Sequence, residues 1–273
     1  MSRALSLPGR RFAAPVRPAA FLPKEHGSWS LALEPLALGL GVAPSPGGLA
    51  LAVAAVAGFF ARRPLKESLA AEPTPRRHAA RKATVLLAGL AVGGLVECAV
   101  LGGLTALWPL LLAAPCGGLF AFFDAQGDSR ATAAELSGSA AFAILPAAGA
   151  TLAGWPGPAA LALGALAVAR SLPTILAVRT RLRRAKGQSV RAAVPLVAGA
   201  IAVAAVGWLA LSGLVPCTAV VLVALLFLCS GLLASSRCPA WSARRLGTFE
   251  AVVGAVYVAV LTFAYPSAHF GRP

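Results

Sequence analysis

The chain alternates long apolar stretches with short polar ones from residue 28 to residue 265. A helix needs about 20 apolar residues to cross the hydrocarbon core of a bilayer. The pattern therefore predicts an all-α polytopic transmembrane bundle with about nine spans. The predicted spans are residues 28–43, 47–61, 83–101, 104–123, 133–153, 157–178, 192–211, 214–234 and 246–265. The first two are short, which leaves eight spans as the alternative.

Positive charge occurs in every second connection between the apolar stretches. Apart from Arg170 and Arg272, the 24 Lys and Arg residues lie within residues 3–24, 62–82, 130, 179–191 and 237–245. No Lys or Arg occurs in the intervening turns near residues 44–48, 102–105, 153–158 and 212–217. Because basic loops stay on the cytoplasmic side of a membrane, we expect a cytoplasmic N-terminus and an external C-terminus.

The composition excludes a water-soluble fold. The chain is 58% hydrophobic and 12% charged, whereas soluble domains carry about 25% charged residues. A net charge of +15 would suggest nucleic acid in a soluble protein, but here the charge is divided among loops. We therefore expect the lipid bilayer and anionic lipid headgroups as partners, and no nucleic acid.

Three parts of the chain differ in composition. Residues 1–22 contain Arg and Pro without a long apolar run and predict a disordered, basic cytoplasmic arm. Residues 23–266 form a single predicted transmembrane helical domain, and residues 267–273 form a short tail.

Three acidic residues lie close together in the sequence just after the fourth apolar stretch ends. Asp124 and Asp128 are four residues apart, and Glu135 follows. On a continuous helix the two aspartates would share one face and could hold Mg²⁺ through oxygen ligands, with Glu135 as a base. The alternative is a turn at Gly127, a charged helix end, and Asp128 capping the next helix.

Arg170 lies deep in the sixth apolar stretch, three residues before Pro173. Proline kinks a helix and frees a backbone carbonyl, and an arginine inside a membrane needs an acid or an anionic ligand. Candidate partners are Asp124, Glu135 and Glu250. We interpret Arg170 and Glu250 as substrate-binding residues, with a structural ion pair between helices as the alternative.

Three further groups of polar residues flank the predicted spans. Glu25 and His26 are adjacent and could exchange a proton near neutral pH, although an ordinary charged interface would have the same sequence. Arg63 and Arg179 lie closest to the membrane among the basic residues. Arginine can clamp phosphate oxygens in a bidentate way, so both are candidate substrate-binding residues. Their alternative role is topology and headgroup contact.

Several motifs resemble the YwiC-like family of bacterial membrane proteins. They are PKEHGSW at 23–29, ARRPL at 61–65, FFDAQGDSRATAAELSG at 122–138, ARSLPTILAVRTRLRRAKG at 169–187 and RRLGTFEAVVGAVYV at 244–258. The resemblance covers most of the chain after residue 22. It implies a multi-pass protein of the bacterial cytoplasmic (inner) membrane and leaves the activity open.

The predicted topology is also similar to that of the UbiA prenyltransferases. That resemblance implies that Asp124 and Asp128 hold Mg²⁺, which binds the diphosphate of a lipid or isoprenoid substrate; in the transferase hypothesis Arg63, Arg170 and Arg179 neutralise the phosphate. Here the acids follow the fourth span, whereas in UbiA enzymes they follow the second and sixth. An arginine-lined anion site is therefore the alternative way to bind phosphate.

Three functions remain open on these residues. The first is a transferase acting on a phosphate-bearing lipid at the cytoplasmic face, with Glu25, His26 or Glu135 as base. The second is a transporter of a small anion that binds Arg170, with Glu34, Glu97 or Glu250 relaying protons. The third is a non-catalytic assembly protein for a membrane complex. The first two predict that the charged side chains share one cavity open to the cytoplasm.

Overall fold

The computed structural model describes residues 26–69, 75–235 and 241–267, and within them the fold is entirely helical. The predicted all-α class is confirmed. The predicted arm at residues 1–22 lies outside the described residues, as does the tail beyond Ser267. The helices are α1 (His26–Val42), α2 (Pro46–Ser68), α3 (Pro75–Gly102), α4 (Leu110–Ala125), α5 (Thr132–Ala143), α6 (Leu145–Leu152), α7 (Gly157–Ala185), α8 (Ala193–Leu211), α9 (Cys217–Ala234) and α10 (Ala243–Ser267), with a 3-10 turn at Leu104–Leu107.

Seven helical stretches in the described part of the chain are long and apolar enough to cross a membrane. They are Pro46–Ser68, Arg76–Gly102, Thr132–Leu152, Gly157–Ala185, Ala193–Leu211, Cys217–Ala234 and Ala243–Tyr265. Ala32–Val42 and Leu110–Ala125 are shorter apolar helices. These nine stretches match the nine predicted ones in order. The chain is a multi-pass membrane protein, and nine spans in total stays a prediction.

Several helices extend beyond the predicted ends of their apolar stretches and into the polar stretches. Helix α2 ends at Ser68 and α3 begins at Pro75, so most of the predicted loop at 62–82 is helical. Helix α7 likewise continues past residue 178 to Ala185. Hydropathy marks only the lipid-exposed length, whereas Lys and Arg are good helix formers and let a helix continue into water. Arg63 and Arg179 therefore lie on helices.

The fifth predicted span is one apolar stretch but two helices. Helix α5 ends at Ala143, and α6 begins two residues later with Pro146 in its first turn. Proline has no N–H to continue the helical bonds, which accounts for the interruption. Helix α1 approaches this break closely, because a Cβ on Gly39 would lie 3.2 Å from the Cα of Pro146.

Helix α7 is the central element of the bundle. It contacts α1, α5, α6, α8, α9 and α10, and 67% of its apolar window is buried. Its Leu163 and Leu166 are fully buried among Val206, Val223 and Leu261. By contrast, α3 is 11% buried over its window and packs chiefly on α2. A polar side chain in the middle of α7 is thus enclosed by protein.

We predict that the α2–α3 contact depends on Gly94. A Cβ there would lie 2.8 Å from the Ala50 carbonyl oxygen and 3.0 Å from the Ala54 Cβ, whereas the neighbouring Gly93 has open space. Gly94→Leu should force the helices apart and destabilise the fold by about 1–3 kcal/mol. Gly93→Leu is the matched control. Thermal unfolding in detergent measures both, and equal losses would contradict the prediction.

Candidate functional site

Three helices meet at the guanidinium of Arg170. This side chain lies in the middle of α7 and is 4% exposed. Its Nε lies 3.4 Å from Oε2 of Glu34 on α1, and its Nη1 lies 3.2 Å from Oε2 of Glu250 on α10. The Nη2 donates to the backbone carbonyl of Glu250 at 2.9 Å. We call Glu34, Arg170 and Glu250 the ion trio.

The helix around Arg170 is adapted to its polar side chain. Pro173 lies one turn after Arg170 inside α7 and leaves a carbonyl without its usual helical donor. Thr174 accepts a hydrogen bond from Arg170 Nη1 at 2.8 Å. Its hydroxyl donates to the Arg170 carbonyl, also at 2.8 Å. Thr174 therefore fixes the guanidinium relative to the backbone of α7.

The Glu34 side chain packs directly against Gly254 of α10 on its way to Arg170. A Cβ on Gly254 would overlap the Glu34 carboxylate, so the side chain can lie there only because Gly254 has none. Beside the carboxylate is a small pocket of about 10 Å³, lined in part by Leu38, Ser171 and Tyr257. This volume is about that of one water molecule. Glu250 is not among the residues that line the pocket.

The charges of the ion trio do not balance. With both carboxylates ionised, the trio carries one more negative charge than positive charge. An uncompensated charge away from water is costly, and such groups in proteins take up a proton, pair or bind an ion instead. Arg170 by itself balances one of the two carboxylates, and Glu34 makes a further interaction besides the one with Arg170.

Asp124 belongs to a second cluster, at the charged end of the bundle. Its carboxylate lies 2.8 Å from Lys66 Nζ and 3.2 Å from Arg62 Nη2, both on α2. Lys66 also donates to the Asp124 backbone carbonyl at 2.7 Å, and the Arg62 guanidinium lies 4.8 Å above the ring of Phe120. These contacts join the end of α2 to the end of α4.

Asp128 is separated from Asp124 by a turn. Gly127 has a φ of +79°, and the Asp128 N–H bonds to the Phe123 carbonyl at 2.9 Å, the pattern of a glycine helix cap. Helix α4 thus ends before Asp128, which is exposed. The expected helix cap by Asp128 is wrong, because Ala131 occupies the cap position of α5.

These residues do not fit a magnesium ion as they stand. Asp124 already contacts two cations, which a metal would have to displace. In the part of the chain that the structure describes, no three His, Cys, Asp or Glu residues lie close enough together to hold a metal. The roles of Asp124 and Asp128 as Mg²⁺ ligands stay predictions.

Arg179 and Glu135 form a third cluster. Arg179 Nε lies 2.7 Å from Glu135 Oε2, and its Nη1 donates to the Thr132 hydroxyl at 2.6 Å. Its Nη2 donates to the Arg130 carbonyl. Arg179 thus holds the start of α5 and the preceding turn against α7.

The other candidates lie apart from these clusters. Arg63 pairs with Glu67 at 3.7 Å on the same helix, and Glu67 also accepts two 2.7 Å hydrogen bonds from Arg76. Glu25 lies outside the described residues. His26 begins α1, but its side chain is outside them too. Glu97 is exposed on α3.

Those predicted site residues whose side chains the structure describes therefore divide among separate clusters and do not share one cavity. Of the partners expected for Arg170, the structure pairs it with Glu250, and it places Asp124 and Glu135 with other cations. Glu34, which was not among the predicted partners, also contacts Arg170. The sequence did contain a signal for this contact, because Glu34 is an acid in the middle of the first apolar stretch.

The fold and the ion trio define a multi-pass helical membrane protein with charged groups inside the bundle. Residues 22–148 match the model of a family described as YwiC-like protein. The match confirms the family resemblance over α1–α5 and part of α6, while the motifs at 169–187 and 244–258 lie beyond it. No curated protein and no solved structure matches the chain.

We predict that Asp124 stabilises the charged end of the bundle and that Asp128 does not. Asp124→Asn leaves Arg62 and Lys66 without their common carboxylate. Because both cations are partly exposed, the loss should be about 1–2 kcal/mol. Asp128→Asn changes an exposed residue and is the control. Thermal unfolding in detergent compares them, and an unchanged midpoint in Asp124→Asn would contradict the prediction.

Proposed function

We propose that the protein transports a small anion through a site at Arg170. The observation that carries this proposal is the guanidinium in the middle of the most buried span, held by acids from two other helices. Ionisable residues inside a membrane bundle mark substrate and ion pathways more often than structural contacts. Arginine stays charged in such a place and presents a fork of donors to an anion.

The geometry supports a closed state of such a transporter. The pocket beside Arg170 has space for about one water molecule, so binding requires the helices to move or a glutamate to leave. Two of the three helices that line the pocket contain a proline, Pro35 in α1 and Pro173 in α7. Proline-broken helices bend at such points and leave polar backbone near a binding site.

The transferase hypothesis has less support from the same residues. It needs metal ligands, phosphate-binding arginines and a base in one cavity. Asp124, Arg170 and Glu135 instead lie in three clusters, each with its own counter-charges. A transfer reaction would require all three clusters to rearrange, whereas anion binding at Arg170 requires the displacement of one carboxylate.

We also propose that the bundle lies in the bacterial cytoplasmic membrane, with its charged end inside the cell. Contacts between charged groups and helix ends link α2 with α4 through Lys66, α7 with α5 through Arg179, and α7 with α9 through Arg184. These ends therefore lie on one side. The basic residues that the structure describes near these helix ends belong to this side, and basic loops stay in the cytoplasm.

The transport proposal predicts a specific loss of uptake in Arg170 variants. Purified protein in liposomes is tested with radiolabelled formate, chloride and acetate. Arg170→Gln should abolish uptake, and Arg170→Lys should reduce it by tenfold or more, since lysine keeps the charge and loses the fork. Arg184→Gln is the control, because Arg184 lies about 21 Å further along α7.

Folding must be checked alongside transport, because removing Arg170 leaves two carboxylates without their cation. Gel filtration and helical content give that check, and the double variant with Glu34→Gln keeps the net charge of the trio. Folded wild-type protein that carries none of the three anions would reject the proposal, as would uptake that persists in a folded Arg170→Gln variant.

The orientation proposal predicts opposite labelling of the two ends of α8. Single cysteines replace Lys186 and Gly213 in a chain whose five native cysteines are changed to serine or alanine. A membrane-impermeant maleimide should label position 213 in whole cells and position 186 only after the cells are opened. The reverse pattern would overturn the orientation.

A further inference from the structure

Helix α3 lies at the edge of the bundle and turns a long apolar face outward. It packs chiefly on α2, and its Ala80 and Cys98 are fully buried. On its outer face Val85, Leu86 and Val100 are 71%, 73% and 78% exposed. In a protein that crosses a membrane, an exposed apolar face of this length contacts lipid unless another protein covers it.

Two cations stand at the start of this outer face. Arg81 and Lys82 are both exposed on α3. At about 3.6 residues per turn, Val85 and Leu86 lie one turn after them on the same side of the helix. The predicted third span begins at residue 83, so the two cations lie at the depth of lipid headgroups. A long basic side chain there can rest its stem on apolar surface and bring its charge to a phosphate.

The neighbouring carboxylates already have cations of their own. Glu67 and Asp124 each contact two basic side chains of α2 or α3. Within the described residues, Arg81 and Lys82 form no ion pair. Residues 62–82 contain seven Lys and Arg against two Asp and Glu, so the adjoining ends of α2 and α3 carry excess positive charge. This surface is therefore complementary to an anion.

The cations and the apolar face together define the chemistry of the partner. A soluble anion would be attracted to Arg81 and Lys82 and would leave the apolar face uncovered. A zwitterionic phospholipid would cover that face, but its phosphate already has a cation in the same headgroup. A phospholipid with a net negative headgroup fits both parts of the surface. Each basic residue near an anionic membrane surface strengthens binding by about fivefold.

We propose that the outer face of α3 binds an anionic phospholipid through Arg81 and Lys82. The two side chains donate hydrogen bonds to the headgroup phosphate, and the acyl chains lie along Val85, Leu86 and the apolar residues that follow. The surface holds this lipid next to the protein in preference to zwitterionic lipid. It involves no member of the ion trio, so the inference stands apart from the transport proposal.

Fluorescence quenching by brominated lipid measures the lipid composition beside α3. Val85→Cys or Val100→Cys carries a bimane label in a full-length chain without native cysteines, in phosphatidylcholine vesicles with a small fraction of brominated phosphatidylglycerol. Both valines are exposed on α3, and no Lys or Arg occurs at residues 102–105, beyond Val100. Quenching at position 85 should report about fivefold or more enrichment of phosphatidylglycerol over the bulk fraction, and position 100 should report none. Equal quenching at both positions would overturn the inference.

Removing the two cations tests their role directly. Arg81→Gln combined with Lys82→Gln should lower the enrichment at position 85 to the bulk value. Arg183→Gln combined with Lys186→Gln is the matched control, because it removes the same charge from the end of α7 and should leave the enrichment unchanged. Gel filtration and helical content check that each variant is folded. Enrichment that persists in the folded α3 variant would contradict the proposal.

Other occupants of the surface would give different results. If a second copy of the chain or another membrane protein covered the outer face, neither brominated phosphatidylglycerol nor brominated phosphatidylcholine would quench position 85, and the inference would fail. If the cations bound any phosphate group, inorganic phosphate would abolish the enrichment, whereas sodium chloride at the same ionic strength would not. Equal effects of the two salts would support binding of the lipid.

Discussion

The central interaction of this bundle is the pairing of a buried guanidinium, that of Arg170, with carboxylates from other helices. Arg170 lies in the helix with the most protein contacts, about 13 Å deeper along α7 than Arg179. Arg170 is 4% exposed, and a buried arginine takes its counter-charge from other parts of the protein. Glu34 and Glu250 supply it, and in doing so they join α1, α7 and α10, which are far apart in the sequence.

The clusters at the charged end of the bundle differ from the ion trio, because their cations also bind backbone carbonyls. Cations here donate hydrogen bonds to backbone carbonyls at two helix ends and in the turn between α4 and α5. Lys66 binds the Asp124 carbonyl, Arg179 the Arg130 carbonyl, and Arg184 the Ala234 carbonyl. These three basic residues therefore have two roles, since basic charge favours one orientation in the membrane and each of their hydrogen bonds joins two segments of the chain. Such residues need no substrate to account for them.

Much of the fold was predictable because the bilayer imposes length and hydrophobicity on each span. The apolar stretches fixed the class and the order of the helices, and the family resemblance is confirmed over residues 22–148. The helix ends were less predictable. Hydropathy stops at the first charged residue, whereas the backbone of α2 and α7 continues as a helix through several of them.

The sequence by itself determined which side chains are costly to bury, because charge inside an apolar stretch is visible in one dimension. Arg170, Glu34 and Glu250 could all be singled out in this way. Only the tertiary structure decided which acids reach Arg170, because pairing depends on which helices touch. Gly254 shows why, since its missing side chain matters only against the carboxylate of a residue 220 positions away. The separation of Asp124 and Glu135 from Arg170 was decided in the same way.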